Sequence, residues 1–210
     1  LFRLRVEYCK QGRLALLSHL EIARALERAV RRADLPFAVS QGFSPHMKIA
    51  FGSALPVGVG STCEIFDLQM TRYVAPEKAL AALQAASVPD LMPYDCRCIG
   101  PRDAAASVAY PVAAYRAELS RAPEGGLPVP DEVRVVRKKK EKVIAVADYL
   151  AAPLAVDGAG VTFELEAKPT GSLRPDVLLA ATLEAYNAAH PDEEPLRVVS
   201  TPRTAQRAMR

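Results

Sequence analysis

The chain is most informative at first for what it does not contain. It has no run of about 18 uncharged apolar residues, the length a helix needs to cross a bilayer, so no membrane-spanning helix is expected. Its four cysteines, Cys9, Cys63, Cys96 and Cys98, form no CxxC pair, and its three histidines are scattered. That pattern argues against a zinc site and for reduced thiols in a cytoplasmic protein. No P-loop, GxSxG or HExxH occurs, and the glycines at Gly58 and Gly60 make no dinucleotide fingerprint. The opening LFRLRVEYCK alternates apolar with charged residues, as a strand does and a signal peptide does not. The first residue is Leu1, and a few native residues are expected to precede it.

What is present is an uneven charge. The formal net charge is only +3, but residues 1–50 carry nine Lys/Arg against four Asp/Glu, and the rest of the chain carries eighteen against twenty. A basic N-terminal quarter on a near-neutral body points to an anionic partner. Half of the 210 residues are apolar, enough for one large domain or two small ones.

Period and punctuation order the chain. Phe2, Leu4, Val6 and Tyr8 alternate with Arg3, Arg5, Glu7 and Cys9, which predicts a half-exposed strand with its aromatics on the core side. Ser18 and Glu21 form a capping box that opens a helix to about Ala33, with Ile22, Leu26, Ala29, Val30 and Ala33 as its buried stripe. Strands over 47–51 and 62–70, a helix from Pro76 to Ala86 and a strand over 92–99 complete a β-α-β-β-α-β order. This predicts an α+β protein with a ferredoxin-like domain over 1–100. A joint over 100–107 leads to a second α+β half over 108–201, with a strand over 111–119, a basic extended arm over 133–143, a strand over 161–168, a helix over 175–188 and a strand over 196–200. The expectation for this half is a degenerate second ferredoxin-like module, followed by a loosely ordered basic tail.

Candidate sites follow from placement. Arg24, Arg28 and Arg31 recur at i, i+4 and i+7 with Arg32 beside them, a guanidinium stripe opposite the buried stripe. It reads either as a solvated face with a Glu27–Arg31 pair or as a phosphate contact, for which the planar fork of arginine is suited. Arg3 and Arg5 are expected on the open face of the sheet, a common RNA-binding surface, although the aromatic ribonucleoprotein signature is absent. The stretch SQGFSPHMKIAFGSALPVG, from Ser40 to Gly58, is a turn at Gly42 and Pro45. It also gathers Ser40, Gln41, Phe43, His46 and Lys48, which are able to touch a bound nucleotide. His19 and His46 supply an alternative, metal-independent RNA cleavage with one base and one acid. In the second half, Arg174 at a strand-to-helix joint suits an anion or simply starts a helix, and the RKKKEK run over 137–142 is a solvated block or a polyanion contact.

The segments RLRVEYCKQGRLALLSHLEIARALERAVRRADLP and SQGFSPHMKIAFGSALPVGVGSTCEIFD, with GSLRPDVLL near the end, resemble the radical-SAM-linked family, a bacterial domain of unknown function. Met47 stands where that family has proline. The resemblance implies a domain fused behind, or encoded beside, a B12-type radical SAM protein, often near genes for ribonuclease E/G and ribosomal proteins. It implies that any iron–sulfur cluster, S-adenosylmethionine or cobalamin sits on the partner, since CxxxCxxC is absent here. The expected function is therefore RNA binding, to transfer or ribosomal RNA, in the service of a radical SAM modification enzyme. A ribonuclease similar in fold to those that process CRISPR transcripts, and a pure protein adaptor, are the alternatives.

Overall fold

The computed structural model describes residues 2–137 and 140–209. The chain divides into two compact units, Leu1–Tyr110 and Pro111–Arg210, and both are mixtures of strands and helices. The α+β expectation therefore holds.

In the first unit the order is β1 (Phe2–Lys10), α1 (His19–Arg32), β2 (Ile49–Phe51), β3 (Ser61–Met70), α2 (Pro76–Ala86), β4 (Pro93–Ile99) and a single helical turn, α3 (Ala106–Ala109). β1 lies between β4 and β3, β2 pairs with the far edge of β3, and every pairing is antiparallel. The register sets Leu4 against Leu68 and Val6 against Phe66. Side chains alternate along a strand, so these four share one face. That face and the buried residues of α1 and α2, among them Ile22, Leu26, Val30, Ala79 and Leu83, form the core. Each of the larger side chains contributes roughly 1.5–3 kcal/mol by leaving water.

α1 forms because its ends are written locally. Ser18 Oγ accepts from Glu21 N, and Ser18 N donates to Glu21 Oε2 at 2.8 Å, the predicted capping box. At the other end Leu35 N donates to Val30 O and Asp34 N to Arg31 O. This is a Schellman closure whose left-handed position, φ 51°, is occupied by Asp34 instead of glycine.

The other face of this sheet departs from expectation. Arg5 is paired across the ladder with Asp67 and grips it with both nitrogens, Nε–Oδ1 at 2.7 Å and Nη2–Oδ2 at 2.9 Å. Arg3 Nη2 donates to the same carboxylate, and Ala106 N donates to it from α3. Arg3 also donates to Gly100 O and Asp103 O, and Arg5 to Ala104 O. Tyr110 lies against Arg5 and accepts from Arg97. The stretch expected as an interdomain joint is thus a strap folded over the first unit's own sheet.

The second unit contains β5 (Val112–Leu119), β6 (Glu132–Arg137), β7 (Lys140–Ala145), β8 (Leu150–Asp157), β9 (Gly160–Glu166), α4 (Pro175–Ala189), β10 (Val198–Ser200) and β11 (Arg203–Arg207). β9 lies between β8 and β5, while β10 and β11 share the other edge of β5, again all antiparallel. Tyr115 and Phe163 face each other in register, with their rings stacked 5.4 Å apart. The pairing scheme repeats that of the first unit, with one exchange. Where the first unit has α1, the second has the β6–β7 hairpin, and β6 contacts α4.

Two elements depart from the sequence pattern. β8 reads LAAPLAVD, poor in strand formers and broken by Pro153, yet it is an edge strand whose register slips between Ala152 and Ala155, where proline is tolerated. The tail expected to be loose is β11, where Arg203 is buried beside Tyr115 and Arg207 pairs with Glu164.

Candidate functional site

The candidate site of the first unit grows from the end of β3. Phe37 bridges to Met70, Ala38 N donates to Gln69 O and Lys48 N donates to Ala38 O, so the chain on both sides of the loop over 40–46 is tied to that strand. Val39 then bridges to Met47, and Ser40 and His46 close the neck of a loop. Ser40 N donates to His46 O at 2.8 Å, and Ser40 Oγ accepts from His46 N at 3.0 Å. Ser40 therefore serves the loop's own backbone. Gly42, at φ 141°, takes a conformation that side chains disfavour. The loop lifts Phe43 fully into solvent, at a relative exposure of 110%, beside exposed Gln41 and His46. Lys48 instead turns toward the sheet and, with Arg3, Asp67 and Gln69, lines a shallow cavity of about 250 Å³.

The arginine stripe separates into three roles. Arg24 and Arg28 are exposed, and neither side chain makes a hydrogen bond or salt bridge among the described residues. Arg31 is held between Glu27, at 3.6 Å, and the ring of Phe37, 5.7 Å from the guanidinium carbon, and is still half exposed. Arg32 donates through Nε and Nη2 to Ala86 O, the carbonyl that ends α2, and so fastens one helix to the other. Phe37 joins the stripe to the loop, because it carries Arg31 on its ring and leads directly into Val39.

Other expected residues lie elsewhere. Arg3 and Arg5 do not stand free on an open face: the Arg5 side chain is 5% exposed and both guanidiniums are committed to Asp67 and the strap. The cause is the charge partner set directly opposite on β3, where Asp67 alternates with Phe66 and Leu68 onto the same face as Arg5. His19 packs edge-on against Phe51, with centroids 5.3 Å apart, while His46 is fixed by the loop neck. The two rings thus have different partners, Phe51 for His19 and the loop neck for His46.

In the second unit Arg174 spends its fork on Asp176, with contacts of 3.0 and 2.5 Å, leaving less for an anion. Of the RKKKEK run, Lys138 and Lys139 lie outside the described residues. Lys142, on β7, comes to the turn at Gly171, where its Nζ and Tyr149 Oη lie 3.4 and 3.3 Å from the place a Cβ would occupy.

Two rings join the site that the sequence pattern does not place there. Phe2, expected in the core, is 47% exposed at the first position of β1 and meets Tyr73 edge-on at 5.7 Å, itself 58% exposed. Tyr73 carries a legible signal, an aromatic beside Arg72 in a connector outside any apolar period. Among the described residues no group of three or more His, Cys, Asp or Glu is placed to hold a metal ion, and no helix is long and apolar enough to cross a membrane.

No curated protein matches the chain. A family model described as "Uncharacterized protein conserved in bacteria (DUF2344)" matches residues 3–175, and this chain, carrying the arginine helix and the closed loop within that span, belongs to that bacterial family.

Proposed function

We propose that this protein is a cytoplasmic RNA-binding accessory domain that presents transfer or ribosomal RNA to a radical SAM modification enzyme. The observation that carries the reading is the outer face of α1. Arg24 and Arg28 stand exposed, with no side-chain hydrogen bond or salt bridge among the described residues, and Arg31 is oriented by Glu27 and Phe37 without being buried. Guanidiniums spaced along a helix and kept in water at their tips meet successive phosphates as bidentate donors. The iron–sulfur cluster, S-adenosylmethionine or cobalamin of the modification belongs to the partner enzyme. We read the first unit as a ferredoxin-like domain, supported by the order β4-β1-β3-β2, and the second as a variant with a hairpin in place of its first helix.

The test is the affinity for a labelled transfer-RNA pool across a salt series. Each phosphate contact adds about 0.7 to 0.9 to the slope of log affinity against log salt. Replacing Arg24, Arg28 and Arg31 together by alanine is expected to weaken binding and to flatten the slope by about two. An unchanged slope would remove the stripe from the interface. Capture of the radical SAM protein that survives nuclease, without any RNA affinity, would favour an adaptor instead.

A further inference from the structure

We infer that the RNA segment held by the first unit is single-stranded, its unpaired bases stacking on Phe43 and on the Phe2–Tyr73 pair while its phosphates meet Arg28 and Arg31. This rests on the RNA reading above and narrows it to a substrate class. The arginines alone do not distinguish a duplex from a single strand, because both present phosphates. The rings do. In an A-form duplex the faces of the bases are covered by their neighbours, and only the grooves and backbone are accessible; a splayed base offers its whole face to an aromatic ring.

Three features make these rings a site instead of incidental exposure. Phe43 is held out: the loop that carries it is closed at Ser40 and His46 and turned at Gly42, and the ring itself is entirely in water. Leaving such a ring exposed forgoes roughly 1.5–3 kcal/mol that burial would return. Phe2 and Tyr73 form a second, edge-on pair, each about half exposed. Both sets are tied to one strand end. Phe2 and Phe37 are each partnered with Met70, and Thr71 donates to Pro36 O through both its N and its Oγ1, at 2.8 and 3.0 Å. Tyr73 follows Thr71 by two residues, and the chain from Phe37 leads through Val39 into the loop that bears Phe43. The guanidinium of Arg31 lies over the ring of Phe37, the residue from which the chain leads to the loop.

Charge matches the occupant. From Arg24 to Lys48 the chain carries five Lys/Arg against two Asp/Glu, and one of the two acids, Glu27, is already engaged by Arg31. Exposed rings and exposed cations carried by the same unit suit the bases and phosphates of a single strand.

The experiment is fluorescence anisotropy with the full chain and two labelled RNAs of about twelve nucleotides, one unstructured and one fully paired. The single strand is expected to bind more tightly. Phe43→Ala and Tyr73→Ala should each weaken the single strand about ten-fold, the equivalent of about 1.4 kcal/mol per stacked base, and leave the duplex unchanged. Phe43→Trp should restore binding. The triple arginine variant should weaken both RNAs. If single strand and duplex bind alike and the ring variants change nothing, the stacking inference is wrong while the RNA reading stands. If neither RNA binds at low salt, both are wrong.

Discussion

Asp67 shows how much a single side chain organises here. It accepts from Arg5, from Arg3 and from the backbone of Ala106, so one carboxylate joins two strands and the strap. Its side chain is 2% exposed and that of Arg5 5%. Removing one partner of such a pair leaves the other charge buried and uncompensated, so Asp67→Ala is expected to cost about 3–5 kcal/mol in urea unfolding. A loss below about 1 kcal/mol would mean that water replaces the carboxylate and that the strap is only loosely held. Cys96 makes a different prediction, about pH. Burial among Val6 and its neighbours pushes the thiol from its ordinary 9.0 up to about 12, because the thiolate is penalised where water is excluded. The folded chain keeps a proton that the unfolded chain loses, so this group's contribution to stability is intact below about pH 9 and declines as pH rises toward 12. Urea midpoints of the parent and of Cys96→Ala should converge as the pH is raised from about 8 to about 11. Curves that stay parallel would show that the thiol ionises as it does in water.

At the scale of elements, helix ends and faces carry the consequences. Asp34 takes a left-handed conformation at the closure of α1, where its negative charge sits at the negative end of the helix. Glycine adopts that conformation without the Cβ conflict, so Asp34→Gly should stabilise the protein by roughly 1 kcal/mol, read as a higher denaturant midpoint. A lower midpoint would show that the aspartate makes a compensating contact in the folded chain. The outer face of α1 is legible in the sequence itself: the capping box and the stripe of Ile22, Leu26, Ala29 and Val30 oblige Arg24, Arg28 and Arg31 to point outward. The fate of Arg32 is not legible there. Its partner, Ala86 O, lies 54 residues away and becomes available only because α2 ends beside α1. The same holds for Phe2. Alternation assigns it to the core, but at the first position of β1 it meets Tyr73 and water instead.

At the scale of the whole chain, the uneven charge is the feature on which the proposed RNA contact rests most. Of the nine cations in the basic N-terminal quarter, Arg3, Arg5, Lys10 and Arg32 are consumed on folding and Lys48 lines the cavity, while Arg13, Arg24, Arg28 and Arg31 are presented. The presented set is smaller than the charge count implies, which is why the salt slope lost on removing Arg24, Arg28 and Arg31 is the informative quantity. Local sequence determined the strand and helix order of the first unit, the caps of α1, the turn at Gly42 and the outward row of arginines, because each depends on residues within a few positions of one another. In the second unit β5, β9, β10, α4 and the extended arm that forms β6 and β7 were legible as well; β8 and β11 are strands because neighbouring strands offer them hydrogen bonds, not because their residues prefer it. The tertiary structure alone decided that Asp67 takes up Arg3 and Arg5, that the strap belongs to the first unit, that His19 and His46 have separate surroundings, and that Phe2, Tyr73 and Phe43 rise from one strand end. Those outcomes depend on residues brought together from distant parts of the chain, and packing, not local propensity, chooses which of them meet.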